Sequence, residues 1–343
     1  MSWHQRNVVV DPSWRLILLG HRGTFLANSS LGPEMNTAFK GRGEMSEDWL
    51  CPPSVIIRRL LRRMFLALTG ILLASSCGAS AELKKNTLDA FGLYVQLTES
   101  RMESELSNPA LFLYFDSLPE KQRHLLQEQL VKGQVIVQSL ETRQDGRKIH
   151  VSHGMVHHWL ALVFMPGVHL AQARALLQDY DRQQELYKPD IQRSRLLSRD
   201  DQTFKVYLRL YRKAVVTAVY NAEFDIQYFP MDAMRERSRS YSTRIAEVEH
   251  PGKSEEREKP VGNDRGYLWR LYTYTRCEER GGGMYMQVEF IALSRSVPAI
   301  FGWLVNPYIK NIPREYLSNF LKVTRRELTA SNTPLALTGD NSG

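Results

Sequence analysis

Hydrophobic and polar positions change rhythm several times along this chain. Leu88, Phe91, Val95, Leu97, Met102 and Leu106 recur at approximately helical spacing, which predicts a helix over Leu83–Leu106 that Ser107-Asn108-Pro109 stops. Ser117-Leu118-Pro119-Glu120 opens a second helix, with Ser117 suited to cap it and Pro119 to its first turn. That helix runs to Val131 and ends at Gly133. From Gln134 the period shortens. Val135, Val137 and Leu140 read as a strand, and Ile149–Val151 as another beyond the Asp145-Gly146 turn. The run Val156–Met165, VHHWLALVFM, is a strongly apolar strand closed by Pro166-Gly167. A helix follows from about Val168 to Tyr187, with Leu170, Ala173, Leu176 and Leu177 on one stripe.

After Pro189 strand patterns dominate: Ile191–Ser198, Thr203–Tyr211, Val215–Phe229, Met234–Val248, Gly266–Glu278 and Met284–Ser294. In Val215–Tyr228 one face reads Val216, Ala218, Tyr220, Ala222, Phe224, Ile226, Tyr228 and the other is largely polar. An antiparallel sheet with one inward and one wet face has this alternation. Trp269, Leu271, Thr273, Thr275 and Cys277 alternate with Arg270, Tyr272, Tyr274 and Arg276, the second set being expected on the wet side. Met284, Met286, Val288, Phe290 and Ala292 form the inward set of the last strand, and a bulge is expected near its end because Ile291 and Leu293 are apolar too. Residues 249–264, rich in Pro, Gly, Lys and Glu, read as a long exposed loop. A helical region from Pro298 to Leu328, split near Asn306-Pro307 and Pro313, closes the fold, and 330–343 is a frayed polar tail.

The start of the chain reads differently. Arginines 58, 59, 62 and 63 precede the uncharged run Met64–Ala74, and Ala79-Ser80-Ala81 follows. That is the tripartite pattern of a secretory signal over 55–81, with an apolar core too short for the roughly 20 residues of a membrane span. Arg62-Arg63-Met64-Phe65-Leu66 resembles a twin-arginine motif. Leu73-Ala74-Ser75-Ser76-Cys77 resembles a lipoprotein box, so a membrane anchor through an acylated Cys77 is the alternative to cleavage after Ala81. Residues 1–54 are not expected to fold and are consistent with a start site placed too early, with Val55 as an alternative initiator. The expected location is outside the cytoplasm, periplasmic or extracellular.

Composition adds bounds. The chain has 343 residues, 43% of them hydrophobic and 24% charged, which excludes wholesale disorder. A net charge of +8 permits contact with nucleic acid or anionic membranes without requiring it. Three cysteines, Cys51, Cys77 and Cys277, exclude a disulfide scaffold.

One strand, a helical connection, six antiparallel strands and a long C-terminal helix is the order of the helix-grip fold, an α+β class. From about Val156 to Leu328 the chain resembles the START-like (SRPBCC) superfamily of lipid-transfer domains, polyketide cyclases and birch-pollen allergen relatives. His157-His158-Trp159, Phe164-Met165-Pro166-Gly167, Gln178-Asp179-Tyr180-Asp181, Gly302-Trp303-Leu304-Val305 and Ile312-Pro313-Arg314-Glu315 are similar to exported bacterial members. On this reading 82–150 is a helical preface with a short hairpin and 151–329 the helix-grip domain. The resemblance implies a curved sheet wrapped around the last helix, with an apolar cavity between them. The expected partner is an apolar small molecule or lipid, with peripheral membrane contact as a further reading and no nucleic acid. No cofactor is implied.

Candidate ligand-binding residues are Tyr220, Arg244, Trp269, Thr273, Met286 and Phe290 on the strands, with Trp303 of the closing helical region completing the cavity wall that the resemblance implies. Arg244 shares parity with Ser240 and Ser242, so two readings stand: an inward arginine binding a ligand carboxylate or phosphate, or one of a solvated row with Arg235, Arg237 and Arg239. Four histidines, His150, His153, His157 and His158, fall close together, and His153 and His157 would share a strand face, but no cysteine or paired carboxylate completes a metal set. Lys205, Tyr207, Arg209 and Tyr211, like Arg270–Arg276, interleave basic and aromatic residues as nucleic-acid surfaces do, a reading that export disfavours. Neither GxSxG nor HExxH occurs, and a cyclase-like enzyme would have only Tyr220, Arg244 and His157 for proton transfer.

Overall fold

The computed structural model describes residues 81–213, 217–296 and 299–330, with side chains excluded at 81 and 299–312. The leader expected over 55–81, the segment 1–54 and the tail 330–343 therefore lie, apart from Glu82's neighbour Ala81 and residue 330, outside the described residues. No described helix is long and apolar enough to cross a membrane.

Strand β1 (Ala81–Glu82) leads into helix α1 (Lys85–Leu106). Two 3-10 turns, Pro109–Leu111 and Tyr114–Ser117, connect it to α2 (Glu120–Val131). Ser117 does not cap α2; its hydroxyl donates to the Tyr114 carbonyl inside the preceding turn (2.8 Å). Then come β2 (Ile136–Ser139), the small hairpin β3 (Arg143–Gln144) and β4 (Arg147–Lys148), and the long β5 (Gly154–Pro166). The helix expected over 168–187 is two pieces, α3 (Leu170–Gln178) and α4 (Gln183–Leu186). Four strands follow: β6 (Ile191–Asp200), β7 (Thr203–Lys213), β8 (Thr217–Pro230) and β9 (Arg235–Glu249). The expected loop contains β10 (Arg257–Glu258) and β11 (Asn263–Asp264), before β12 (Arg270–Glu279) and β13 (Gly283–Arg295). Helix α5 (Ala299–Ala330) is continuous, not split: Pro307 and Pro313 each withdraw one backbone donor without ending it.

The main sheet is antiparallel in the order β2-β5-β13-β12-β9-β8-β7-β6, with β10 extending the β9 side. On one face Leu317, Leu321 and Leu328 of α5 pack with Val163, Met284, Met286, Val288 and Phe290. Farther along the same face Phe204, Val206, Ala222, Phe224, Ile226 and Ile245 form a second apolar cluster, bridged to the first by Leu268 and Leu271. This is the helix-grip α+β arrangement.

The other face is not wet where β5, β13 and β12 run. Phe91, Tyr94, Val95 and Met102 of α1 bury Tyr274, Ile291 and Leu293, while Phe112, Leu113, Phe115 and Leu130 bury Leu160, Leu162 and Tyr285. The preface is thus a third layer. It explains why twelve of the thirteen residues of β13 are buried and corrects two expectations. Tyr272 and Tyr274 lie under a helix, and Ile291 and Leu293 are apolar because that face is covered, the pairing of β13 with β5 and β12 being unbroken by any bulge. The far edge, β6, has its Ser194 and Leu196 N–H groups taken by the Gln184 and Asp181 side chains, with Arg193, Arg195 and Arg199 exposed.

Candidate functional site

The face gripping α5 carries the candidate site. Register places Ile226 opposite Ser240, Ser240 opposite Thr273, Thr273 opposite Phe290 and Phe290 opposite Trp159, one row across five strands. The next row adds Tyr228, Ser238, Thr275, Val288 and Ala161. Small hydroxylated side chains therefore occupy the middle of the sheet, between aromatic and aliphatic walls. Ser238, Ser240, Thr273 and Thr275 keep partial accessibility while Phe224, Met286 and Phe290 are buried. His157, opposite Ala292, also faces this side. It keeps some accessible surface, yet burial pushes its imidazole down to about 4.

Both ends of this face are polar. At one end Arg174 of α3 donates to Glu236 (2.6 Å), and the Tyr180 and Tyr228 hydroxyls pair at 2.7 Å. Glu236 lies between Arg235 and Arg237 but shares parity with Ser238 and Ser240, and it is buried on this face. At the other end Glu247 is fully buried and held by Arg265, while Asp264 accepts from Gly266 N–H (2.6 Å) and Trp269 Nε1 (3.1 Å). The Tyr220 hydroxyl sits there without a hydrogen-bond partner among the described residues, and burial first, then Glu247 and Asp264, holds it well above the usual phenol value. It is a donor at every physiological pH. Burial likewise pushes the Cys277 thiol up, so it is protonated and unreactive.

The structure brings together Tyr220, Thr273, Met286 and Phe290 on the gripping face. It removes two other candidates. Arg244 points outward because Thr243 is an extra residue: Phe224 pairs with Ser242 but Glu223 with Arg244, a bulge that inverts parity beyond it. The Arg244 guanidinium pairs with Glu258 instead. Trp269 belongs to the opposite face, packed with Phe91 and Leu293. It precedes Arg270, the first residue of β12, so the strand alternation that sets Leu271 does not extend to it. Trp303 lies in α5, where side chains are outside the described set.

The four histidines do not converge. His150 and His153 are exposed before β5 begins, His157 faces α5, and His158 faces α1. Among the described residues no group of three or more metal-ligating side chains occurs. The basic and aromatic rows are likewise occupied: Arg209 makes two 2.9 Å bonds to Glu256, and Arg276 lies beneath α1.

Sequence reasoning did not anticipate the polar network under α1. Thr142 N–H donates to the Tyr94 hydroxyl (2.8 Å), which donates to His158 Nδ1 (2.9 Å), and His158 Nε2 donates to Glu289 (2.7 Å). Glu289 also takes Arg101. Although burial opposes its charge, Arg101 and His158 hold the Glu289 carboxyl down to about 2, and burial keeps His158 neutral. Glu289 Oε2 and Arg101 Nε are buried without a hydrogen-bond partner among the described residues, so the network is closed through Glu289 Oε1 alone.

No family model and no curated protein matches the chain. Among solved structures it is similar to a STAR-related lipid transfer protein from Xanthomonas axonopodis, at 16% identity and a TM-score of 0.38, covering 56% of this chain and 93% of that one. It is also similar to the human StarD13 lipid transfer and protein localization domain, at 12% identity and TM-score 0.37, covering 64% and 99%. A third likeness is to the Zhui aromatase/cyclase from a Streptomyces species, at 11% identity and TM-score 0.35, covering 53% and 99%. The described residues thus form a helix-grip α+β fold, read from their own topology, and the solved structures they are similar to include START-superfamily proteins.

Proposed function

We propose that the chain binds and carries an apolar ligand, a lipid, sterol or hopanoid, or polyketide-like molecule, between the sheet and α5. The observation that carries this reading is the row of small hydroxylated residues, Ser240 and Thr273 above all, left partly accessible between the walls formed by Phe290, Trp159 and Ile226. Such a lining stabilises an apolar body and offers a few hydroxyls to orient it. Native mass spectrometry of the purified chain, with organic extraction of what it carries, tests the reading. A mass excess that extraction releases is the expected result. A chain that carries nothing and takes up no lipid, sterol or polyketide sinks it.

A cyclase-like activity has less support. It would keep Tyr220 and His157 on the gripping face but lose Arg244 to Glu258. Neither remaining group is tuned for proton transfer near neutrality, since one titrates at about 4 and the other well above 10.

Export forms part of the proposal. Its support is the arginine-rich, apolar and small-residue order of 55–81, with cleavage after Ala81. N-terminal sequencing of the secreted product should read Glu82-Leu83-Lys84. An acylated Cys77 would instead put the carrier on a membrane surface, and an intact first segment in soluble protein would end the export claim.

A further inference from the structure

A second cleft lies on the opposite face of the sheet, under α1, with a volume of about 210 Å³. Three periodicities build it. Glu99, Met102, Glu103 and Leu106 share one side of α1 at helical spacing. Arg237, Arg239 and Tyr241 alternate along β9, and Tyr274 and Arg276 alternate along β12. Register then sets Tyr274 opposite Arg239 and Arg276 opposite Arg237. Two guanidinium groups facing each other across a strand pair are destabilising unless an anion lies between or beside them.

The local carboxylates do not meet that need fully. Glu103 takes Arg237 at 2.5 Å but is 61% exposed, and an exposed pair of this kind contributes little. Glu99 is occupied by the hydroxyls of Tyr241 and Tyr274. Arg276, 3% exposed, spends Nη1 on Glu105 (3.1 Å) and the Phe112 carbonyl (2.9 Å). Its Nη2 has no hydrogen-bond partner among the described residues. Arg239 stacks over Phe229 and Tyr241, at 5.3 and 5.5 Å. The lining guanidinium groups of Arg237, Arg239 and Arg276 thus meet Glu99, Glu103 and Glu105, with Arg276 Nη2 left over, beside the apolar surface of Met102, Leu106 and Phe229.

We propose that this cleft is a binding site for a small carboxylate with an apolar body, its anionic group on Arg276 Nη2 and Arg239 and its ring or short chain against Met102, Leu106 and Phe229. The volume falls below the roughly 300 Å³ at which drug-sized sites begin, which points to a single-ring or short-chain acid, not a long lipid. The site is separate from the ligand face next to α5, so neither proposal depends on the other.

Benzoate, with benzamide and acetate as controls, tests it on the isotopically labelled full chain by NMR titration. Saturable benzoate binding is expected, with amide shifts at Thr275 and Arg276, and both controls should bind at least about tenfold more weakly, the scale of losing a charge-assisted hydrogen bond or the apolar contact. Arg276→Gln should abolish binding. Because that variant also loses its links to Glu105 and Phe112, Arg239→Gln provides a check at an exposed side chain and should weaken benzoate several-fold. Equal binding of benzamide, shifts confined to other strands, unchanged affinity in Arg239→Gln, or no saturable binding at all would each overturn the proposal.

Discussion

At the scale of single residues, the contrast between Arg244 and Thr273 is the clearest test of the site. Arg244→Ala removes an outward pair with Glu258 and should change stability by about 0.5 kcal/mol or less while leaving ligand occupancy intact. Thr273→Phe fills the middle of the gripping face and should lower the extracted ligand severalfold, read by mass spectrometry. Titration gives a second test. His157 is held near 4 against an ordinary 6.5, so in the unfolded chain it binds a proton more readily than in the fold. Its stabilising effect is present in full above pH 6.5 and is lost as the pH falls from there towards 4. Glu289, held near 2 against 4.5, adds stability above pH 4.5 that is lost between 4.5 and 2. Thermal melts should therefore fall in two stages on acidification, and His157→Gln should flatten the upper one. Tyr220, Thr273, Met286 and Phe290 were legible because simple alternation holds along their strands. Arg244 and Trp269 were not, because a bulge inverts the count at one and the other lies just outside its strand, and neither leaves a distinct mark in composition.

At the scale of elements, the preface helix changes what the sheet is. The alternation along β12 reads as dry against wet, yet tyrosines and arginines can serve either a solvated face or one sealed by a polar-lined helix. Only the acids of α1, Glu99 and Glu105, distinguish the cases, by answering Tyr241, Tyr274 and Arg276. Their meaning depends on contacts between residues more than a hundred positions apart, which periodicity cannot supply. The strand order and the last helix were legible because apolar repeats persist over whole elements; the splits at Pro307 and Pro313 were not real because proline removes a donor without forbidding a helix. Tyr94→Phe probes how α1 is held. It leaves Thr142 N–H and His158 Nδ1 without their shared partner and should cost about 1–3 kcal/mol in denaturant unfolding.

At the scale of the whole molecule, the described chain has three layers, with α5 on one side of the sheet and the preface on the other. Each interlayer space has its own chemistry. The gripping side offers hydroxyls and aromatic surface, and the covered side offers guanidinium groups and phenols. Carriage of an apolar molecule and capture of a small acid are therefore separable, and a variant that empties one space should leave occupancy of the other unchanged. The two margins of the sheet are also unequal. On one side β2 closes the hydrogen-bonding ladder of β5; on the other, no strand pairs with the outer side of β6, where Gln184 and Asp181 side chains take the Ser194 and Leu196 N–H groups and Arg193, Arg195 and Arg199 face solvent. Two copies meeting margin to margin at β6 would bring six like charges together, so repulsion adds to the cover that Asp181 and Gln184 give part of this ladder. Repulsion of this kind has a range of about 10 Å at 0.1 M salt and about 3 Å at 1 M. The protein's colloidal behaviour should thus invert the usual advice for handling it: light scattering at fixed concentration should show dispersed chains in dilute buffer and growing strand-to-strand assemblies as salt is added, and Arg195→Glu should shift the salt concentration at which they appear.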